Sequence, residues 1–167
     1  MIDLKRLIRD VPDFPRPGIL FRDISPLLRE HFETTIQVLD RLLTDMEWSG
    51  IDAIAGIESR GFILGAALAA RRHKGFVLVR KQGKLPPPVV DVAYDLEYGS
   101  SVLEMQCGRG RLLLVDDVLA TGGTMTASAD LCVQAGYEVS AIAALIDLKI
   151  VADYRWGTLS VRTAVQY

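Results

Sequence analysis

A chain of 167 residues, half of them apolar, is sized for one domain that buries about two thirds of its unfolded surface. Its 19 basic and 21 acidic side chains leave a net charge of -2, so nothing draws nucleic acid or an anionic membrane to it in general, and any anion must be bound locally. No apolar run nears the roughly 20 residues that cross a bilayer. The charged start Met1-Ile2-Asp3-Leu4-Lys5-Arg6 lacks a leader's apolar core, and Cys107 and Cys132 make neither a metal-ligand spacing nor a disulfide framework. The expectation is a cytoplasmic protein with no membrane or nucleic-acid partner.

In chain order, Ile2, Leu4, Leu7 and Ile8 suit a short amphipathic helix over residues 2–9, ending before Pro12. Pro12, Pro15, Pro17-Gly18 and Pro26 then punctuate an ordered loop or irregular strand. A helix is expected over 34–48, with Ile36, Leu39, Leu42, Leu43 and Met46 on one face. From there strand and helix alternate: strand 52–56, helix 61–73, strand 76–80, and, after a long interval, strand 111–115, helix 125–135 and strand 139–145. This pattern predicts an α/β fold with a mainly parallel sheet and right-handed crossovers. Residues 148–162 carry no recognisable motif.

The interval between Arg80 and Gly110 breaks the alternation. Leu85-Pro86-Pro87-Pro88 cannot enter a central strand, whereas Tyr94, Leu96 and Tyr98, and Val102, Glu104 and Gln106 against Leu103 and Met105, alternate as a β-hairpin around Gly99-Ser100 does. Such a segment serves as a lid over a site or as an arm that packs a dimer, and the two are compatible.

The chemistry concentrates in Leu112-Leu113-Leu114-Val115-Asp116-Asp117-Val118-Leu119-Ala120-Thr121-Gly122-Gly123-Thr124. Two carboxylates are expected at the carboxyl end of a buried strand, where open α/β sheets bind ligands. One can face the site while the other turns to the scaffold or a metal. The turn Ala120, Thr121, Gly122, Gly123, Thr124 opens a helix, whose unpaired N–H groups and partial positive charge bind phosphate. The plain alternative is a strand-turn-helix corner capped by Thr121 or Thr124. Gly56-Ile57-Glu58-Ser59-Arg60-Gly61 is a second such corner, with Arg60 able to fork onto a pyrophosphate. Arg80, Lys81 and Lys84 close a strand nearby and read as a clamp for the same anion. Phe14 is expected in the core of the proline-punctuated stretch, and an aromatic ring such as Phe21 can stack on a planar ligand. Glu97, once shielded from water, can hold a proton near neutrality.

The 112–124 segment resembles the phosphoribosyl-pyrophosphate signature of type I phosphoribosyltransferases. Pro12-Asp13-Phe14-Pro15-Arg16-Pro17-Gly18-Ile19-Leu20-Phe21-Arg22-Asp23-Ile24-Ser25, Gly56-Ile57-Glu58-Ser59-Arg60-Gly61-Phe62, Val79-Arg80-Lys81-Gln82-Gly83-Lys84-Leu85-Pro86 and Tyr94-Asp95-Leu96-Glu97-Tyr98-Gly99 resemble, in order, the adenine branch of that family. The resemblance implies one domain over 1–167, with a five-stranded parallel sheet, a hood at 1–33 and a flexible lid at 81–107. It implies transfer of the phosphoribosyl group to adenine, giving AMP and pyrophosphate, a purine-salvage reaction. Asp116 and Asp117 with residues 120–124 would hold the phosphoribosyl group. Glu58, Ser59, Arg60, Arg80, Lys81 and Lys84 would hold pyrophosphate, with a cis peptide at Glu58-Ser59. Leu20, Phe21 and Arg22 would hold the base through stacking and backbone groups. Glu97 and Tyr98 would join Asp116 and Asp117 in catalysis. Mg²⁺ would be held mainly by substrate, with Asp116 or Asp117 reaching it through water, in a homodimer that shares part of the basic cluster. Gln82 departs from the pattern, since the family often has a base there.

A nucleotide-sensing regulator on the same fold is the rival reading. It would add a nucleic-acid-reading element, and the stretch before Pro12 is too short for a helix-turn-helix. Arg71-Arg72-His73-Lys74 ends an expected helix, where cations complement the dipole, and Gly108-Arg109-Gly110-Arg111 precedes a strand instead of following one.

Overall fold

A computed structural model describes residues 3–96 and 99–167. A 3-10 helix (Leu4–Leu7) leads into β1 (Arg9–Val11) and β2 (Phe21–Asp23), an antiparallel ribbon. Three short helices follow: α1 (Ser25–Glu30), α2 (Phe32–Asp40) and α3 (Asp45–Ser49). The main body is β3 (Ala53–Ile57), α4 (Arg60–Arg72), β4 (Gly75–Lys81), the hairpin β5 (Val89–Leu96) and β6 (Gly99–Gln106), then β7 (Arg111–Leu119), α5 (Gly123–Gln134) and β8 (Glu138–Asp147). It closes with β9 (Arg155–Trp156) and β10 (Leu159–Gln166).

The large sheet runs β5-β6-β4-β3-β7-β8-β10-β9. Its five central strands, β4, β3, β7, β8 and β10, are parallel, and the hairpin and β9 extend the edges antiparallel. Leu112, Leu113, Leu114 and Val115 are fully buried because both faces of β7 are covered. Leu113 and Val115 pack with Leu64 and Leu68 of α4; Leu112 and Leu114 pack with Leu131 and Cys132 of α5. No helix among the described residues is long and apolar enough to cross a membrane.

Several expectations are corrected. The helix at 2–9 shrinks to one 3-10 turn, because Arg9 to Val11 pair with the β2 strand that the proline-rich loop delivers. The helix at 34–48 is two helices. Thr44 and Glu47 form a reciprocal capping box that starts a new helix, and Arg162 donates 2.9 Å to the Leu42 carbonyl at the break. The break turns Met46 outward to 84% exposure, off the buried face where it was expected. Residues 148–167 supply β9 and the fifth parallel strand, β10. The alternation of Leu159, Val161, Thr163 and Val165 was the available signal. As expected, Arg71 and Arg72 close the last turn of α4, where they pair with Glu33, Asp40 and Asp45.

Candidate active site

From β3 the chain moves outward through α4 to β4, and from β7 it moves the opposite way through α5 to β8. A crevice opens where connections leave a parallel sheet in opposite directions. The 58–59 and 120–122 loops are its two lips. β3 pairs with β7 only as far as Gly56 opposite Val115, whereas β7 runs on beside β8 to Leu119. Asp116 and Asp117 therefore lie within β7 and not after its end, because Val118 and Leu119 continue the ladder. They stand just past the last β3 pairing, on the crevice wall.

Strand alternation sends the two carboxylates to different surroundings. Asp116 is half-buried and lines a cavity of about 70 Å³ with Thr121, Gly122, Gly123 and Thr124. Asp117 is buried, with Oδ2 2.7 Å from Arg60 Nη2, yet that oxygen accepts no directed hydrogen bond. The Asp117 N–H donates to Asp116 Oδ1 at 2.8 Å. Gly61 lets α4 come this close, since a Cβ there would stand 2.8 Å from the Val115 carbonyl and 3.1 Å from Asp116 Oδ1. Burial, then the neighbouring Asp117 charge, pushes the Asp116 carboxyl well above its ordinary 3.8. Burial also raises Asp117, against the pull of Arg60.

The phosphate-type turn starts α5 with Gly122 as N-cap at φ +86°, and no side chain caps the helix. The alternative of a Thr121 or Thr124 cap is thus set aside, and the first-turn N–H groups stay open to a ligand. Tyr154, which sequence reasoning missed, presses its ring on Gly122: a Cβ there would lie 2.3 Å from Tyr154 Cε2. The Tyr154 and Thr126 hydroxyls are hydrogen-bonded at 2.7 Å. β5 brings the Asp95 carbonyl to 3.5 Å from a Cβ built at Gly123. Glu97 and Tyr98, assigned to catalysis above, lie outside the described residues.

On the opposite lip the Glu58-Ser59 peptide is cis, as the resemblance implied. Ser59 is the N-cap of α4 without a side-chain bond. The Glu58 side chain gathers the basic cluster: it pairs with Lys84 Nζ, accepts from the Lys81 N–H at 3.0 Å and meets Arg80 Nε at 3.3 Å. Burial alone raises this carboxyl, but the Lys84 ammonium, the Lys81 N–H and the Arg80 guanidinium outweigh it and hold it at about 2. Arg80 and Lys84 are thus assembled around a carboxylate, while the Lys81 side chain extends from an exposed residue. Glu104, also missed, accepts three backbone N–H groups from the turn that follows Lys81.

Beneath the hood, a cavity of about 390 Å³ is lined by Phe14, Phe21 and Arg60. The two rings meet edge to face at 5.1 Å, and the Arg60 guanidinium lies 4.9 Å from the Phe21 centroid. Phe14 is 50% exposed, not core, because the proline-rich loop carries it to the cavity rim. Arg60 thereby links the aromatic cavity to Asp117. Leu20 is partly exposed and Arg22 points its side chain away, onto the Tyr167 ring at 3.7 Å and onto Asp10, so only its backbone remains toward the hood. Among the described residues no three His, Cys, Asp or Glu side chains converge as a metal cage.

Residues 35–153 match the phosphoribosyl transferase domain family. The chain is 52% identical to an adenine phosphoribosyltransferase of Bdellovibrio bacteriovorus over 166 residues, covering 99% of this chain and 100% of the other. Its structure is similar to the crystal structure of adenine phosphoribosyltransferase from Thermoanaerobacter pseudethanolicus, with TM-score 0.86, 38% identity and 98% of each chain covered. It is also similar to the Saccharomyces cerevisiae enzyme complexed with adenine and an imino-altritol bisphosphate, with TM-score 0.82, 36% identity and coverage of 87% and 86%. With the acid pair, the open helix start and the aromatic cavity at one sheet crevice, these likenesses show that the chain belongs to the phosphoribosyltransferases, in the adenine phosphoribosyltransferase family.

Proposed function

We propose that this crevice joins adenine to phosphoribosyl pyrophosphate, releasing AMP and pyrophosphate, with the work divided among its three subsites. The carrying observation is the acid pair between an open helix N-terminus and an aromatic cavity: Asp116 lines the cleft with Thr121 to Thr124, and Asp117 Oδ2, 2.7 Å from Arg60 Nη2, accepts no directed hydrogen bond. A ribose hydroxyl is a donor that the cleft-lining Asp116 carboxylate fits. Residues 120–124 cradle the 5-phosphate through backbone N–H groups and the Thr121 and Thr124 hydroxyls. Asp116 and Asp117 hold the ribose, and their charge stabilises the cationic character that develops at the anomeric carbon as the leaving group departs. No covalent nucleophile is needed.

Phe21 stacks on the purine, and backbone groups of Leu20 and Arg22 read its Watson–Crick edge, where a missing hydrogen-bond partner is costly. That the Saccharomyces cerevisiae relative was crystallised with adenine supports the choice of base. Arg60, Arg80, Lys81 and Lys84, with the backbone of Glu58 and Ser59, receive the leaving pyrophosphate; the Glu58 side chain, itself an anion, keeps the cations together. Glu97 holds a proton at the purine ring and Tyr98 closes the site, as parts of a lid at 81–107 in a single domain with a hood at 1–33. A cleft-lining Asp116 carboxylate beside the Arg60-paired Asp117 fits a Mg²⁺ carried mainly by substrate oxygens, with Asp116 or Asp117 reaching it through water. When bound, the ion supplies charge neutralisation on the pyrophosphate. Cytoplasmic purine salvage is the setting.

The test is a panel of free bases with phosphoribosyl pyrophosphate and Mg²⁺, scored for nucleotide product. Adenine is expected to exceed hypoxanthine and guanine in kcat/KM by about 10²-fold or more. Comparable rates with hypoxanthine would move the site to an oxopurine acceptor.

The working unit we infer is a homodimer. Arg80 and Lys84 are satisfied by Glu58 of their own chain, whereas Lys81 is exposed and suited to reach a second copy. Mixing Lys81→Ala subunits with subunits carrying Asp116→Asn and Asp117→Asn is expected to restore part of the activity lost by each. Sedimentation of a fully active monomer at assay concentration would refute the dimer, and a dimer without complementation would refute the sharing of Lys81.

A further inference from the structure

The clamp cations ride on a sharp turn. After β4 ends at Lys81 the chain reverses through Gly83 at φ +83°, and Lys84 follows at once. The N–H groups of Gly83, Lys84 and Leu85 donate to the single carboxylate of Glu104 on β6, at 2.9, 2.7 and 2.7 Å. Glu104 sits opposite Arg80 in the β4–β6 register and is only 3% exposed. Consecutive N–H groups that converge in this way form a concavity for an anion. Here the chain fills it with its own side chain.

Two consequences follow from that occupancy. The turn's backbone donors are spent on Glu104, so an incoming pyrophosphate meets this segment through side chains alone. The carboxylate also fixes where the turn stands above the sheet, and with it the reach of Lys84 and the course of Arg80, whose Nη1 donates to the Lys84 carbonyl at 3.2 Å. The Glu104 carboxyl is held below its ordinary 4.5 chiefly by the Gly83 N–H, against burial, with help from Leu85 and Lys84. It therefore stays charged where the enzyme works.

We infer that Glu104 is a positioning residue for pyrophosphate recognition, holding the turn so that Arg80 and Lys84 face the leaving group. This rests on the clamp assignment proposed above. Glu104 differs from Glu58, which touches the cationic heads themselves. A carboxylate that only held the hairpin together would, when altered, disturb both substrates and the melting temperature alike.

Glu104→Gln keeps the shape and turns one acceptor into a donor that faces an N–H. Expected are a rise of about tenfold or more in KM for phosphoribosyl pyrophosphate, a change below about twofold in KM for adenine, and faster amide exchange confined to residues 83–85. Glu104→Asp, which keeps the charge but withdraws it by one carbon, carries the same readout if the Gln variant does not fold. A phosphoribosyl-pyrophosphate KM within about twofold of the parent, or an equal rise in both KM values, overturns the inference. Arg80→Ala with Lys84→Ala separates the two layers. If that pair leaves the same KM unchanged, the clamp assignment falls; if it raises KM while Glu104→Gln does not, the positioning role alone falls.

Discussion

Asp116→Asn combined with Asp117→Asn is expected to cut turnover by about 10²-fold or more while the protein stays folded. The pair sits on the crevice wall past the last β3–β7 pairing, where it can touch a ligand without carrying the core beneath it. The single changes should differ in stability. Asp116 has a carboxyl raised by burial and by the Asp117 charge, so the folded state holds its proton more tightly than the unfolded chain does. The stability it contributes is fully present below pH 3.8 and is lost as pH rises through the higher folded value. At neutral pH Asp116 is thus a cost to the fold, and Asp116→Asn is expected to raise Tm while it removes activity. Asp117→Asn should gain less, because Arg60 offsets part of what burial costs this carboxylate and the change removes that partner. Tm measured against pH, beside kcat, checks both. Normal turnover in a folded double variant would sink the ribose assignment, and a lower Tm for Asp116→Asn at neutral pH would sink the electrostatic account.

Gly122→Ala is expected to destabilise by about 2–5 kcal/mol and to abolish tight binding of phosphoribosyl pyrophosphate. Two effects add. A residue with a Cβ is strained at φ +86°, and the new carbon would lie 2.3 Å from the Tyr154 ring. Moving either the ring or the loop disturbs the N–H groups at the start of α5. Adding Tyr154→Ala removes the clash but not the backbone strain, so it should return part of the Tm and little of the affinity. Calorimetry and substrate titration read the two separately. Parent-like affinity in Gly122→Ala would show that the turn does not cradle the phosphate.

The elements and anion loops were legible in the amino-acid sequence because each is a local property of the chain. A buried strand, its polar end and a glycine turn opening a helix lie within thirteen consecutive residues, 112–124, and such a turn leaves the first N–H groups of its helix without partners in the helix itself. The break in the 34–48 helix was equally local and equally visible, since Thr44 and Glu47 spell a capping box. It was masked by an apolar pattern that ran on through the break.

The partnerships within the site belong to the tertiary structure. Glu58 and Lys84 lie 26 residues apart, the Glu104 carboxylate takes N–H groups 19 to 21 residues away, and Thr126 meets Tyr154 across 28. No period or spacing encodes such pairs, because they arise from which strand lies beside which. Strand order also put Asp116 and Asp117 on the crevice wall, by ending β3 before β7 does. Composition and pattern determined an α/β chain with an acid pair and a glycine turn suited to a sugar phosphate. Packing decided which carboxylate is free, which arginine answers it and which buried glutamate holds the basic turn, since burial and distance set the charge of each group and only the folded chain sets burial and distance.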